Sequence, residues 1–302
     1  MSGNLGVFIY ICRVLCFDLF HIMLSRFFFA LLTLTAILMP GVVQAQIVTE
    51  EGTVSSDSIR RAMDDGPYFG LYKDNYFIFG TTVGQKPTRE NSNVKFQLSI
   101  AQRLTRSTLP FNTYLFLFYT QKCFWNVLEK SFPMTDLNFN PGVGLTKLLF
   151  VKQHYVGKIS LIAEHESNGR DGIESRSWNR LSLGGSIMID PNFVVHGKFW
   201  LPMIDGENNR DLLDYCGIYQ MGSSFRLPND RCGLSVILTK RRGWRLNYNT
   251  VVEFNYRLFK RDNQYFFVQY YNGYGEGLLA YKEFHSTLRL GFVIKPGLFS
   301  EY

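Results

Sequence analysis

Residues 246–258 alternate with a period of two. Tyr248, Thr250, Val252, Phe254, Tyr256 and Leu258 fall on one face, and Asn247, Asn249, Glu253, Asn255 and Arg257 on the other. Val94, Phe96, Leu98 and Ile100 alternate in the same way with Lys95, Gln97 and Ser99. A period of two is that of a β-strand, whose side chains point to opposite faces in turn. Packed into a soluble sandwich core, unpaired charges on the polar face would cost several kcal/mol each. Inside a transmembrane β-barrel they pair with one another or with water, while the apolar face meets lipid.

The same alternation gives twelve strand candidates from Asn75 to Ile294, among them 112–121, 141–152, 156–167, 178–189 and 216–227. Their connections vary in length in a regular way. Residues 153–155, 190–191, 228–231 and 260–263 are short, whereas 84–93, 122–140, 168–177, 202–215 and 273–283 are longer. Short periplasmic turns and longer outer loops are the habit of outer-membrane barrels. With both termini periplasmic, strand 156–167 runs outward and the loop 168–177 lies at the cell surface. The chain holds 27 Phe and 17 Tyr, yet its mean hydropathy is only −0.05. Half-polar strands between aromatic girdles produce that combination. The expected fold is therefore all-β, a twelve-stranded antiparallel transmembrane β-barrel of the outer-membrane type over residues 75–302. A plug-like periplasmic segment, 46–74, precedes it.

Ahead of both lies a leader, residues 1–45. Met23-Leu-Ser-Arg26 is followed by an apolar run from Phe27 to Leu38 and by Val43-Gln44-Ala45. That order of charge, apolar stretch and small residues is a cleaved secretory signal, with Met23 the expected true start and Gln46 the mature one. The run is short of the roughly 20 residues that a spanning helix needs. The formal charge of +7 stays basic once Arg13, Arg26 and Asp18 leave with the leader. On an exported chain, scattered basic residues suit anionic head groups of the outer membrane rather than nucleic acid. Cys123, Cys216 and Cys232 remain, an odd set without metal-type spacing that allows at most one bridge, such as Cys216–Cys232.

Chemistry concentrates in residues 165–180. From Gly157 every second residue is small or apolar: Ile159, Leu161, Ala163. The next two in that phase are His165 and Ser167. After a polar loop the phase resumes at Asn179, followed by Leu181 and Leu183, while Glu164 and Glu166 fall on the other face. His165 and Ser167 are thus neighbours on one lipid-side face, roughly 6–7 Å apart at Cα. A serine needs a base to become a nucleophile. The base needs a third group to fix its tautomer, and Asn179 is in phase to supply it.

His165-x-Ser167-Asn168-Gly169-Arg170 and Ser175-Arg176-Ser177-Trp178-Asn179-Arg180 resemble the signature of the outer membrane phospholipase A family. Val94-Lys-Phe-Gln-Leu-Ser99, Tyr119-Thr-Gln-Lys122 and Gly273-Tyr-Gly-Glu276 carry the resemblance across most of the mature chain. It implies a twelve-stranded outer-membrane barrel that hydrolyses phospholipids at A1 and A2 positions, needs calcium and acts as a homodimer. It assigns Ser167 as nucleophile, His165 as base and Asn179 as orienter. It implies a calcium site from the Ser175 hydroxyl and the Arg170 carbonyl, with Ser131 contributed by the partner subunit. Gln121 matches a membrane-buried polar residue of the family's dimer interface. One departure is Gly172, which stands where the family's loop can carry an acid used in a weaker calcium site.

Two readings of another class compete: a small channel or structural barrel without chemistry, and a surface adhesin. A channel would place its functional residues in the lumen, and an adhesin calls for longer loops. The outward phase of His165, Ser167 and Asn179 is the feature that separates them.

Overall fold

The computed structural model describes residues 56–204, 207–227, 231–259 and 263–296. The expected leader, its cleavage point at Ala45 and the terminal Tyr302 lie outside the described residues. The chain forms a closed antiparallel barrel whose wall has twelve staves. Strand β2 (Asn75–Thr82) pairs with β3 (Ser92–Arg103) on one side and with the last strand, β13 (His285–Ile294), on the other. The intervening strands follow in sequence order: β4 (Thr113–Trp125), β5 (Met134–Val151), β6 (His154–Ser167), β7 (Ser177–Asp190), β8 (Phe193–Met203), β9 (Tyr219–Arg226), β10 (Cys232–Lys240), β11 (Tyr248–Arg257) and β12 (Gln264–Gly273). A short β1 (Phe69–Leu71) pairs with β3 at Ile100–Gln102, beyond the stretch that β2 covers, so the first stave is one interrupted strand. No described helix is long and apolar enough to cross a membrane.

The alternation read from the sequence sorts the side chains as expected. Leu98, Leu161, Leu183, Leu201, Leu234 and Leu290 are all exposed on the outer face. The inner phase is buried and polar. Lys95, 4% exposed, pairs with Glu276 at 3.0 Å, and Arg289 reaches the same carboxylate at 2.7 Å. Gln269 bridges Lys95 to Glu253. Ile162, out of pattern in the sequence, is buried on the inside against Tyr72 and Phe118. A polar lumen cavity of about 950 Å³ remains, lined by Lys95, Lys158, Glu253 and Arg257 among others.

Apolar clusters form inside the wall at both of its ends. Helix α1 (Ser56–Asp65) buries Ile59 and Met63 against Tyr114, Phe116 and Leu148, inward residues near the β5–β6 turn. At the other end, Leu278 and Tyr281 of the β12–β13 connection pack with Trp178, Trp200 and Leu212, the last from helix α2 (Leu212–Cys216). The backbone N–H groups of Leu278 and Leu279 donate to Asn138 and Asp136. This explains one correction to the strand boundaries. The expected loop 122–140 is only residues 126–133, because β4 and β5 continue past Gln121 and before Pro141. The extended wall supplies Asp136 and Asn138 as acceptors for the inward-folded connection. A second correction concerns 216–227, where α2 ends at Cys216 and β9 begins at Tyr219. Cys123, Cys216 and Cys232 are free. The Cys216–Cys232 bridge does not form, since Cys216 lies at the outer end of β9 and Cys232 at the periplasmic end of β10.

Candidate active site

Strands β6 and β7 place His165 directly opposite Asn179 and Ser167 opposite Ser177. Both strands are pinned in register by their inner faces. Glu164 accepts from Arg180 (3.1 Å), Lys198 (2.6 Å) and Ser182 (2.9 Å), and Glu166 accepts from Arg180 and the Trp178 indole. A slip of one residue would expel these buried charges to lipid and carry the outward residues into the lumen. The outward phase of His165 and Asn179 is therefore fixed from behind.

On the lipid side, His165 Nδ1 lies 2.9 Å from Asn179 Oδ1. The amide oxygen only accepts, so this contact sets the proton on Nδ1 and leaves Nε2 able to accept one. His165, Ser167 and Asn179 are half-buried. Below them toward the membrane, Ile159, Leu161, Leu181 and Leu183 form an exposed apolar strip. Phe139 of β5 stands opposite Ser167 on the other side. The lumen cavity lies on the opposite side of the wall from this constellation.

The loop 168–176 is organised by Asn168, a residue the sequence reading did not single out. It is 3% exposed. Its side chain donates to the Glu174 carbonyl and accepts from the N–H groups of Arg170 and Arg176. Its signals in the sequence are its place in the His165–Arg170 motif and the turn dipeptide Asn168-Gly169. Gly169 has φ +65°, and a Cβ there would come within 2.8 Å of the Phe139 ring. The loop is tied to the preceding β4–β5 hairpin by Arg170, which donates to the Thr135 carbonyl at 2.7 Å and pairs with Glu174.

The expected ligand residues Arg170 and Ser175 share this loop. Among the described residues, neither the Arg170 carbonyl nor the Ser175 hydroxyl is engaged in a hydrogen bond, and no cluster of three or more His, Cys, Asp or Glu could hold a metal. A cation held here would meet neutral oxygens, a donor set that fits a hard ion such as calcium and not zinc or copper. Ser131 is exposed at the tip of the β4–β5 connection with φ +66° and makes no hydrogen bond to the loop among the described residues. Gln121 alternates with inward Thr120 and shares the outer face with exposed Leu117. It therefore points to lipid, where the Tyr119 hydroxyl donates to it.

A family profile described as phospholipase A1 matches residues 69–294. The phospholipase A1 of Proteus vulgaris is 32% identical over 235 residues, which cover 72% of this chain and 77% of that one. The phospholipase A1 of Escherichia coli K12 is 28% identical over 288 residues, covering 86% and 96%. The solved calcium-bound dimer of the outer membrane phospholipase of Salmonella typhi superposes with a TM-score of 0.67 at 27% identity, over 80% of this chain and 98% of that one.

Proposed function

Because this chain belongs to the phospholipase A1 family, we propose that it is a calcium-dependent outer-membrane phospholipase whose Ser167, His165 and Asn179 cleave acyl esters at the lipid-facing rim of the barrel. The observation that carries this reading is the His165–Asn179 contact of 2.9 Å on the outer face. Such a pair in the lumen would suit a channel; outside, it meets lipid esters. The apolar cluster inside the outer end of the wall also speaks against an open pore.

The steps follow from the groups. His165 Nε2 takes the proton of the Ser167 hydroxyl as Oγ attacks the ester carbonyl, and Asn179 supports the resulting imidazolium through Nδ1. The proton passes to the departing glycerol oxygen as the carbon–oxygen bond breaks, leaving an acyl-serine. Water, deprotonated by the same histidine, releases the fatty acid. The apolar strip from Ile159 to Leu183 seats the acyl chain outside the wall. Calcium bound by Arg170 and Ser175 would offset negative charge developing on the ester oxygen. Roughly 6–8 oxygens surround such an ion, so a loop giving two leaves room for waters and for Ser131 of the partner subunit. On this reading the active form is a homodimer that cleaves at both A1 and A2 positions, with acyl chains seated on an exposed strip.

The test is fatty-acid release from a phospholipid carrying a different labelled chain at each glycerol position, using refolded protein with calcium or with chelator. Release that depends on calcium, from both positions, and that is abolished in Ser167→Ala is expected. Undiminished release from Ser167→Ala would remove the nucleophile assignment, and calcium-independent release would remove the metal.

A further inference from the structure

Resting on His165 as the base, we infer that Asn140 is a positioning residue of the triad: its side-chain amide replaces the strand donor that Pro141 cannot give to the His165 carbonyl.

Strands β5 and β6 keep one register on both sides of a gap. Gly142 lies opposite Glu164 and Phe139 opposite Ser167. Counting along both strands puts Pro141 opposite His165, and the β5–β6 ladder pairs neither Asn140 nor Pro141, although both pair with β4 on the other side. Proline has no N–H to donate, so inside a sheet it costs a ladder bond. Here the residue deprived of its partner is the base itself. A buried strand carbonyl without a donor is rare, and this one is satisfied from an unusual direction. Asn140 alternates to the lumen side and is 6% exposed. Its Nδ2 donates to the His165 carbonyl at 2.7 Å and to Glu164 Oε2 at 3.2 Å.

Glu164 is in turn held by Lys198 and Ser182 on Oε1 and by Arg180 on Oε2. The buried charge cluster therefore reaches across the wall. It orients one amide, and that amide fixes the backbone of the residue whose imidazole faces lipid. An ordinary ladder bond would hold the carbonyl without any of this. With Pro141 in place, the position of His165 depends on a side chain, and misplacing a catalytic group by about 1 Å can cost on the order of 100-fold in rate.

The experiment uses refolded full-length protein and measures phospholipid hydrolysis with calcium. Asn140→Ala and the nearly isosteric Asn140→Leu should lower kcat by about tenfold or more, with KM unchanged. Pro141→Ala returns an N–H to the strand opposite His165. Alone it should leave the rate near wild type, and in the double variant Asn140→Ala/Pro141→Ala it should restore most of the lost kcat. A residue that merely filled the lumen or steadied Glu164 would not be rescued, because Pro141→Ala adds nothing on that side. Heat-modifiable electrophoretic mobility monitors folding, and Asn140→Leu provides the comparison if the alanine variant folds poorly. Wild-type kcat in both Asn140 variants, or a double variant as slow as the single, would overturn the inference. The underlying triad is tested separately by Ser167→Ala. An active Ser167→Ala sinks the triad, whereas an inactive one beside fully active Asn140 variants sinks only the role of Asn140.

Discussion

Glu164 and His165 are adjacent in the chain and lie on opposite sides of the barrel wall. The first is 5% exposed in the lumen among Arg180 and Lys198; the second faces lipid with its Nδ1 2.9 Å from Asn179. One strand thus supplies the charge that fixes the register and the imidazole that this register turns outward.

Asn179→Ala should lower kcat by roughly tenfold to a hundredfold and leave KM unchanged, less than the ~10⁴-fold associated with a triad aspartate. A neutral amide orients the imidazole but stabilises its cation less than a carboxylate does. The check is steady-state hydrolysis in mixed micelles. A rate equal to wild type would take Asn179 out of the mechanism.

Glu164→Ala should destabilise the barrel by about 3–5 kcal/mol, the usual cost of removing one partner from a buried charge cluster. Arg180 would keep Glu166, but Lys198 would lose its ion-pair partner, and Ser182 and Asn140 an acceptor. Reversible urea unfolding in lipid vesicles measures this, and a change below 1 kcal/mol would mean that the cluster is solvated.

Calcium and subunit pairing should be linked. If Ser131 of the partner subunit completes a site begun by Arg170 and Ser175, the dimer binds the ion more tightly than the monomer, and calcium favours the dimer by the same coupling free energy. Analytical ultracentrifugation in detergent, with calcium or chelator and a non-cleavable substrate analogue, reads that coupling. Ser131→Ala should weaken it, and a monomer–dimer constant indifferent to calcium would return Ser131 to the role of an exposed loop serine.

Much of this was legible in the sequence because a barrel wall repeats one simple rule. Period-two alternation put Leu98 outside and Lys95 inside, and it put His165, Ser167 and Asn179 in the phase they occupy. The continuation of β4 and β5 past Gln121 was not legible, because Asp136 and Asn138 read as loop residues until the β12–β13 connection folds in to use them. Helix α1 was missed for a similar reason. Its two buried apolar residues are Ile59 and Met63, and their partners Tyr114 and Leu148 lie far along the chain. The roles of Asn168 and Asn140 rest on contacts to backbone atoms, which no side-chain pattern announces.

The central claim, a nucleophile on the lipid side of the wall, is tested most directly by covalent labelling. Refolded protein in detergent is treated with a long-chain alkyl fluorophosphonate, and the adduct is located by peptide mass spectrometry. The account predicts a single adduct on Ser167, formed at a rate that tracks hydrolysis and lost in His165→Ala. An adduct on any other residue that abolishes hydrolysis, or full hydrolysis by protein labelled at Ser167, would contradict it.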